Sequence, residues 1–77
     1  MISPEQSRAA RGWLDWSQDE LAKRANVSLS TVRDFEKGRR TPIANNLDAI
    51  ERALIAAGIE MLSDQDQATG IRLLSRV

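Results

Sequence analysis

Residues 16–40, WSQDELAKRANVSLSTVRDFEKGRR, decide the reading of this chain. Ser17 can cap a helix through its side-chain oxygen. Gln18, Asp19 and Glu20 then make the polar, acidic first turn that a helix N-terminus favours. Leu21, Ala22 and Ala25 recur at helical spacing. Asn26-Val27-Ser28 interrupts that helix and caps another, in which Val32 and Phe35 fall on one side and Ser30, Arg33 and Asp34 on the other. Gly38 ends it. The stretch is expected to form a helix over about Gln18 to Ala25, a turn of about three residues, and a second helix over about Leu29 to Lys37. The basic loop Gly38-Arg39-Arg40-Thr41-Pro42 follows.

Toward the N-terminus, Ser3-Pro4-Glu5 is a helix start: a cap, a proline at the first helical position and an acid in the first turn. That helix should run to about Leu14, with Ala9, Ala10 and Leu14 as a narrow apolar face. Trp16, just before the Ser17 cap, is expected in the core between the first two helices, packing back on Leu21 as a hydrophobic staple. Trp13 lies off the stripe and would cover the hairpin or a partner subunit. Toward the C-terminus, Leu47, Ile50, Leu54 and Ala57 form one stripe on a helix from about Ala44 or Asn45 to Ala57, stopped by Gly58. Beyond it the period changes. Ile59-Glu60-Met61 and Ile71-Arg72-Leu73 alternate as strands do, separated by the polar stretch Asp64–Gly70, which reads as a flexible loop. The expected layout is a helical unit over 1–58 and a β-hairpin extension over 59–77.

Composition removes several classes of function. The chain has 77 residues and neither Cys nor His. Disulfides and thiolate metal sites are therefore excluded. The residue that most often performs acid–base work near neutral pH, and that with Cys binds most zinc, is missing. An enzyme is not expected, and neither a metal nor a cofactor is. No apolar run is long enough to span a bilayer, and the first residues lack the apolar core of a signal peptide, so a cytoplasmic location and no membrane partner are expected.

Net charge is zero, but its distribution is uneven. Between Lys23 and Arg40 six basic residues face two acidic ones, a local balance of +4 that leaves −4 on the rest of the chain. A helix, a tight turn and a second helix with a basic edge is the arrangement that lays the second helix in a DNA major groove.

The run Ser17-Gln18-x-Glu20-Leu21-Ala22, then Val27-Ser28, Thr31-Val32 and Phe35-Glu36-x-Gly38-x-Arg40-x-Pro42, resembles the Cro/C1-type helix-turn-helix proteins, the Xre family. The likeness runs from about Arg8 to Leu54. It implies a mainly α, four-helix, lambda-repressor-like domain, here followed by a C-terminal β-hairpin in place of the family's usual fifth helix. It implies base contacts from Leu29, Ser30, Arg33 and Asp34, and contacts to the DNA backbone from Gln18, Ser28, Thr31, Lys37, Arg39 and Arg40. It also implies a structural ion pair between Arg11 and Glu36.

The residues themselves rank these roles. Arg33 is the one long basic side chain in the middle of the second helix, and arginine bridging guanine is the commonest specific contact. Asp34 can accept from cytosine, orient Arg33 or Arg24, or repel phosphate. Ser28 caps its helix whether or not DNA is bound. The apolar hairpin residues Ile59, Met61, Ile71 and Leu73 suggest a dimerisation element. The function expected is sequence-specific double-stranded DNA binding by a homodimeric transcriptional regulator of repressor type, in the cytoplasm on the nucleoid. The alternatives are an autoregulating antitoxin with a toxin partner, or a protein-interaction module on the same fold.

Overall fold

The computed structural model describes residues 1–74. Four helices, α1 (Pro4–Leu14), α2 (Gln18–Ala25), α3 (Leu29–Glu36) and α4 (Ala44–Ala56), precede two antiparallel strands, β1 (Ile59–Asp64) and β2 (Gln67–Leu73). Positions 75–77 of the expected hairpin extension lie outside the described residues.

Local chemistry sets the helix boundaries. Ser3 accepts from the Gln6 main-chain N–H, while the Gln6 side chain accepts from the Ser3 N–H, a reciprocal capping box. Ser17 and Ser28 each accept from the main-chain N–H three residues on. Asp15 and Asn26 close α1 and α2 in the left-handed region, with φ of 59° and 57°. Only α4 starts without such help: Ile43 occupies its cap position and no side chain caps it.

The core gathers Leu21, Ala22 and Ala25 of α2, Val32 and Phe35 of α3, and Leu47, Ile50 and Leu54 of α4, with Ile2, Ala10 and Ile59. Residues from every helix and from β1 meet there, so helices and hairpin share one apolar interior. The inner face of α1 departs from expectation. Ala9 is exposed and Leu14 half-buried, whereas the polar residues Gln6 and Ser7 are buried beside Ala10. The reason is tertiary: this face meets a buried carboxylate and main-chain carbonyls, which need donors. Trp16 is also less central than expected. It is half-buried at the core's edge, with the Arg24 guanidinium 4.3 Å above its ring.

The hairpin is longer and tighter than a flexible loop between two short strands. Its turn is only Gln65-Asp66, both left-handed with φ of 52° and 66°, and the register shifts at Leu62/Ser63 as a bulge. Ile59 pairs with Leu73 and Met61 with Ile71, so these four side chains share one face. That face turns inward. Ile59 is fully buried and the other three pack partly buried on the same core. These side chains cover this chain's own helices.

Candidate nucleic-acid interface

α2 and α3 form a bihelical unit whose outward side carries most of the polar residues singled out in the sequence. The turn between them is held by Asn26, whose main-chain N–H reaches Ala22 and Lys23, and by the Val27 N–H, 3.0 Å from the Ala22 carbonyl. Val27 and Leu29 lean on the core, so Leu29 offers only part of its side chain outward. Ser28, Ser30, Arg33, Lys37, Arg39 and Arg40 are exposed, and Gln18, Thr31 and Asp34 are half-exposed.

The end of α3 shows why the basic loop starts where it does. The Gly38 N–H bonds to the Phe35 carbonyl at 3.0 Å and the Arg39 N–H to the Asp34 carbonyl at 2.9 Å. This doubled closure needs a left-handed residue at position 38, and Gly38 supplies it with φ of 73°. Nothing lies within 4 Å of where its Cβ would be, so the glycine is needed for its backbone angle and not for space. Arg39 and Arg40 therefore leave the helix axis together.

The hydroxyls at the start of α3 bond to one another, Ser28 to Ser30 at 3.1 Å and to Thr31 at 2.8 Å. Between α3 and the start of α4 lies a concavity of about 250 Å³ lined by Ser30, Thr31, Asp34, Arg40, Thr41, Pro42, Ile43 and Asn46. Asp34 forms no ion pair with Arg33 or Arg24. Arg24 is held one turn back by Glu20 at 2.8 Å, which corrects the idea that Asp34 orients it.

The pairing of the cations is informative. Lys23 pairs with Asp19, Arg24 with Glu20, Arg52 with Asp48, Arg72 with Glu60, Arg8 with Glu5 and Arg11 with Glu36. Among the described residues, Arg33, Lys37, Arg39 and Arg40 alone of the basic side chains have no acidic partner and no side-chain hydrogen bond within the chain. All four lie on α3 and the loop after it.

Behind this surface is a buried polar centre. Arg11 Nε and Nη2 donate to both oxygens of Glu36, the shortest contact being 2.7 Å. The Ser7 hydroxyl donates to Glu36 Oε2 at 2.6 Å and the Gln18 amide to Oε1 at 3.1 Å. Arg11 Nη1 donates to the Trp16 carbonyl at 3.0 Å, and Arg8 donates to the Glu36 carbonyl. Burial pushes the Glu36 carboxyl up, but the hydrogen bonds from Arg11, Ser7 and Gln18 outweigh it and hold the group below its ordinary value. α1 thus grips both the entry to α2 and the end of α3.

Ser7 and Arg8 were missed in the sequence. Ser7 stands one helical turn before Arg11, a usable hint that the two share a face. No group of His, Cys, Asp or Glu among the described residues is arranged to hold a metal, and no described helix is long and apolar enough to cross a membrane.

The helix-turn-helix family model matches residues 8–55, well over half of the chain and all of the bihelical unit. No curated protein matches the chain.

Proposed function

Since the chain belongs to the Cro/C1-type helix-turn-helix family, whose members are DNA-binding transcription regulators, we propose that it is a sequence-specific repressor that lays α3 in the major groove. The observation that carries this is the set of unpaired cations. A solvated charge on a neutral protein tends to find a partner on its own surface, as the six other cations among the described residues do. Four that do not, on one helix and its exit loop, leave a site whose complement is an array of phosphates. On this reading Arg33 reaches base edges with Ser30, Leu29 and Asp34. Lys37, Arg39 and Arg40 then hold the backbone on one side, with Gln18, Ser28 and Thr31 on the other. No catalysis is involved, and the protein acts on the nucleoid in the cytoplasm.

We further propose a homodimer built on the hairpin edges. The Leu74 N–H bonds to the Gly58 carbonyl at 2.7 Å. By the alternation of antiparallel ladders, the main-chain groups of Ile59, Met61, Ile71 and Leu73 then point away from the partner strand. An open edge of this kind accepts another strand, and edge pairing with a second copy gives a symmetric arrangement suited to two half-sites. Selection from a random duplex pool tests both readings. A palindromic enriched site with half-sites about one helical turn apart is expected. A pool with no enrichment overturns sequence-specific binding, and a single unrepeated half-site overturns the dimer.

A further inference from the structure

We infer that Glu36 is a positioning residue for DNA binding: its buried carboxylate fixes the Gln18 amide so that a second N–H of that amide is presented to a backbone phosphate. The inference rests on the DNA-binding reading above and adds to it a link between the buried centre and the surface.

The Glu36 side chain is 1% exposed and makes no contact with solvent that could reach DNA. Gln18 opens α2 and is half-exposed. An ionised carboxylate only accepts, so the Gln18 amide must turn its nitrogen toward Glu36 and its oxygen elsewhere. One N–H of Nε2 is committed to Glu36 Oε1 at 3.1 Å. The amide is planar, so fixing one N–H fixes the direction of the other. Among the described residues that second N–H has no acceptor. Glu36 cannot turn away to release it, because Arg11 holds both its oxygens and Ser7 holds Oε2. A glutamine on an open surface would lose its rotamer freedom on gripping phosphate. Here that freedom is already gone before DNA arrives, the condition under which a contact contributes most to affinity.

The test is a double-mutant cycle on the intact chain, read as Kd on a selected duplex at several salt concentrations, with circular dichroism melts showing that each variant is folded at the assay temperature. Gln18→Ala is expected to weaken binding about tenfold, the scale of one hydrogen bond to a charged group. The slope of log Kd against log salt should stay unchanged, because a neutral donor displaces no counterion. Glu36→Gln should weaken binding about two- to tenfold when Gln18 is present and leave it unchanged in the Gln18→Ala background. Ser7→Ala, which removes one donor and leaves Arg11 in place, serves if Glu36→Gln does not fold, and should show the same dependence on Gln18. Equal losses in both backgrounds, or wild-type affinity in Gln18→Ala, overturn the inference while leaving DNA binding intact. An unsubstituted chain with no affinity for any duplex overturns both.

Discussion

The Gln6 side chain, in the first turn of α1, donates through Nε2 to the carbonyl of Gly70 at 2.8 Å across 64 positions of sequence. The same nitrogen donates to the Leu62 carbonyl at 2.8 Å. These two carbonyls belong to the facing pair Leu62 and Gly70, next to the bulge where the ladder shifts register. One buried amide therefore caps α1 and ties the hairpin to it.

Replacing Gln6 with leucine keeps the volume and removes these bonds. The loss includes half of the capping box and leaves two carbonyls short of a donor, so about 2 kcal/mol of stability should go. Urea unfolding measures the loss. Native-state hydrogen exchange should show faster opening of β2 than of α3 in the variant. Equal acceleration in both would mean that Gln6 supports the whole core instead of the hairpin.

The Arg11–Glu36 pair predicts a reversal in pH dependence. Replacing Arg11 with methionine leaves a buried carboxylate with weaker partners and should cost about 3–5 kcal/mol at neutral pH. In the native chain the Glu36 carboxyl sits below its ordinary value, because the hydrogen bonds from Arg11, Ser7 and Gln18 outweigh burial. Its contribution is therefore present above that value and is lost as pH falls through the folded one. In Arg11→Met, burial is no longer outweighed and the carboxyl moves up. Its destabilising effect is then greatest at neutral pH and relieved by acid. Urea midpoints taken from about pH 7 to pH 4 should hold or fall for the native chain and rise for the variant. Parallel slopes would refute the assignment.

Arg33 and Lys37 should separate by the kind of loss they cause. Arg33→Ala is expected to cost about 1–3 kcal/mol on the preferred duplex and to relax preference at about one base pair. Lys37→Ala should weaken all duplexes alike and reduce the salt slope by about one. Competition binding on a panel of single-base variants distinguishes them. If Arg33→Ala weakens every duplex equally, Arg33 contacts phosphate.

The hairpin turn offers a stabilising change. Gln65 and Asp66 both hold positive φ, which non-glycine residues adopt at a cost. A two-residue turn with both positions left-handed is the kind that favours Asn-Gly. The double change Gln65→Asn with Asp66→Gly should add about 1 kcal/mol and raise Tm by several degrees. An unchanged or lower Tm would show that the native pair carries no such strain.

What the sequence disclosed and what it hid divide along the range of the interactions. Ser17, Asn26, Ser28 and Gly38 set helix ends through bonds to residues a few positions away, so α2 and α3 were legible almost to the residue. The Leu47–Ile50–Leu54 stripe was legible for the same reason. Gln6 and Ser7 were not, because their partners lie far along the chain and a polar residue gives no periodic sign of being buried. The hairpin turn was hidden because Gln65-Asp66 lacks the glycine or asparagine that marks such turns, and polar strand residues around it read as loop. Most of the proposed interface was legible as residue types. That Gln18 is held from behind by Glu36 was not, since the contact depends on how three helices meet.

Ile43 sets stability against binding at a single position. It caps α4 without a side-chain hydrogen bond and is 69% exposed. It also borders the concavity shared by Ser30, Thr31, Asp34 and Arg40. Serine or aspartate at a helix start satisfies a free N–H and is worth about 1 kcal/mol over an aliphatic residue, and aspartate also complements the helix dipole. Both Ile43→Ser and Ile43→Asp should therefore raise Tm. They should part on DNA: aspartate places a negative charge beside Arg40 on the face proposed to meet phosphates, and serine does not. The expected result is Kd near the native value for Ile43→Ser and about tenfold weaker binding for Ile43→Asp, the difference shrinking as salt screens the charge. If both variants bind as the native chain does, the start of α4 lies outside the interface, and the face that meets DNA ends at Arg40.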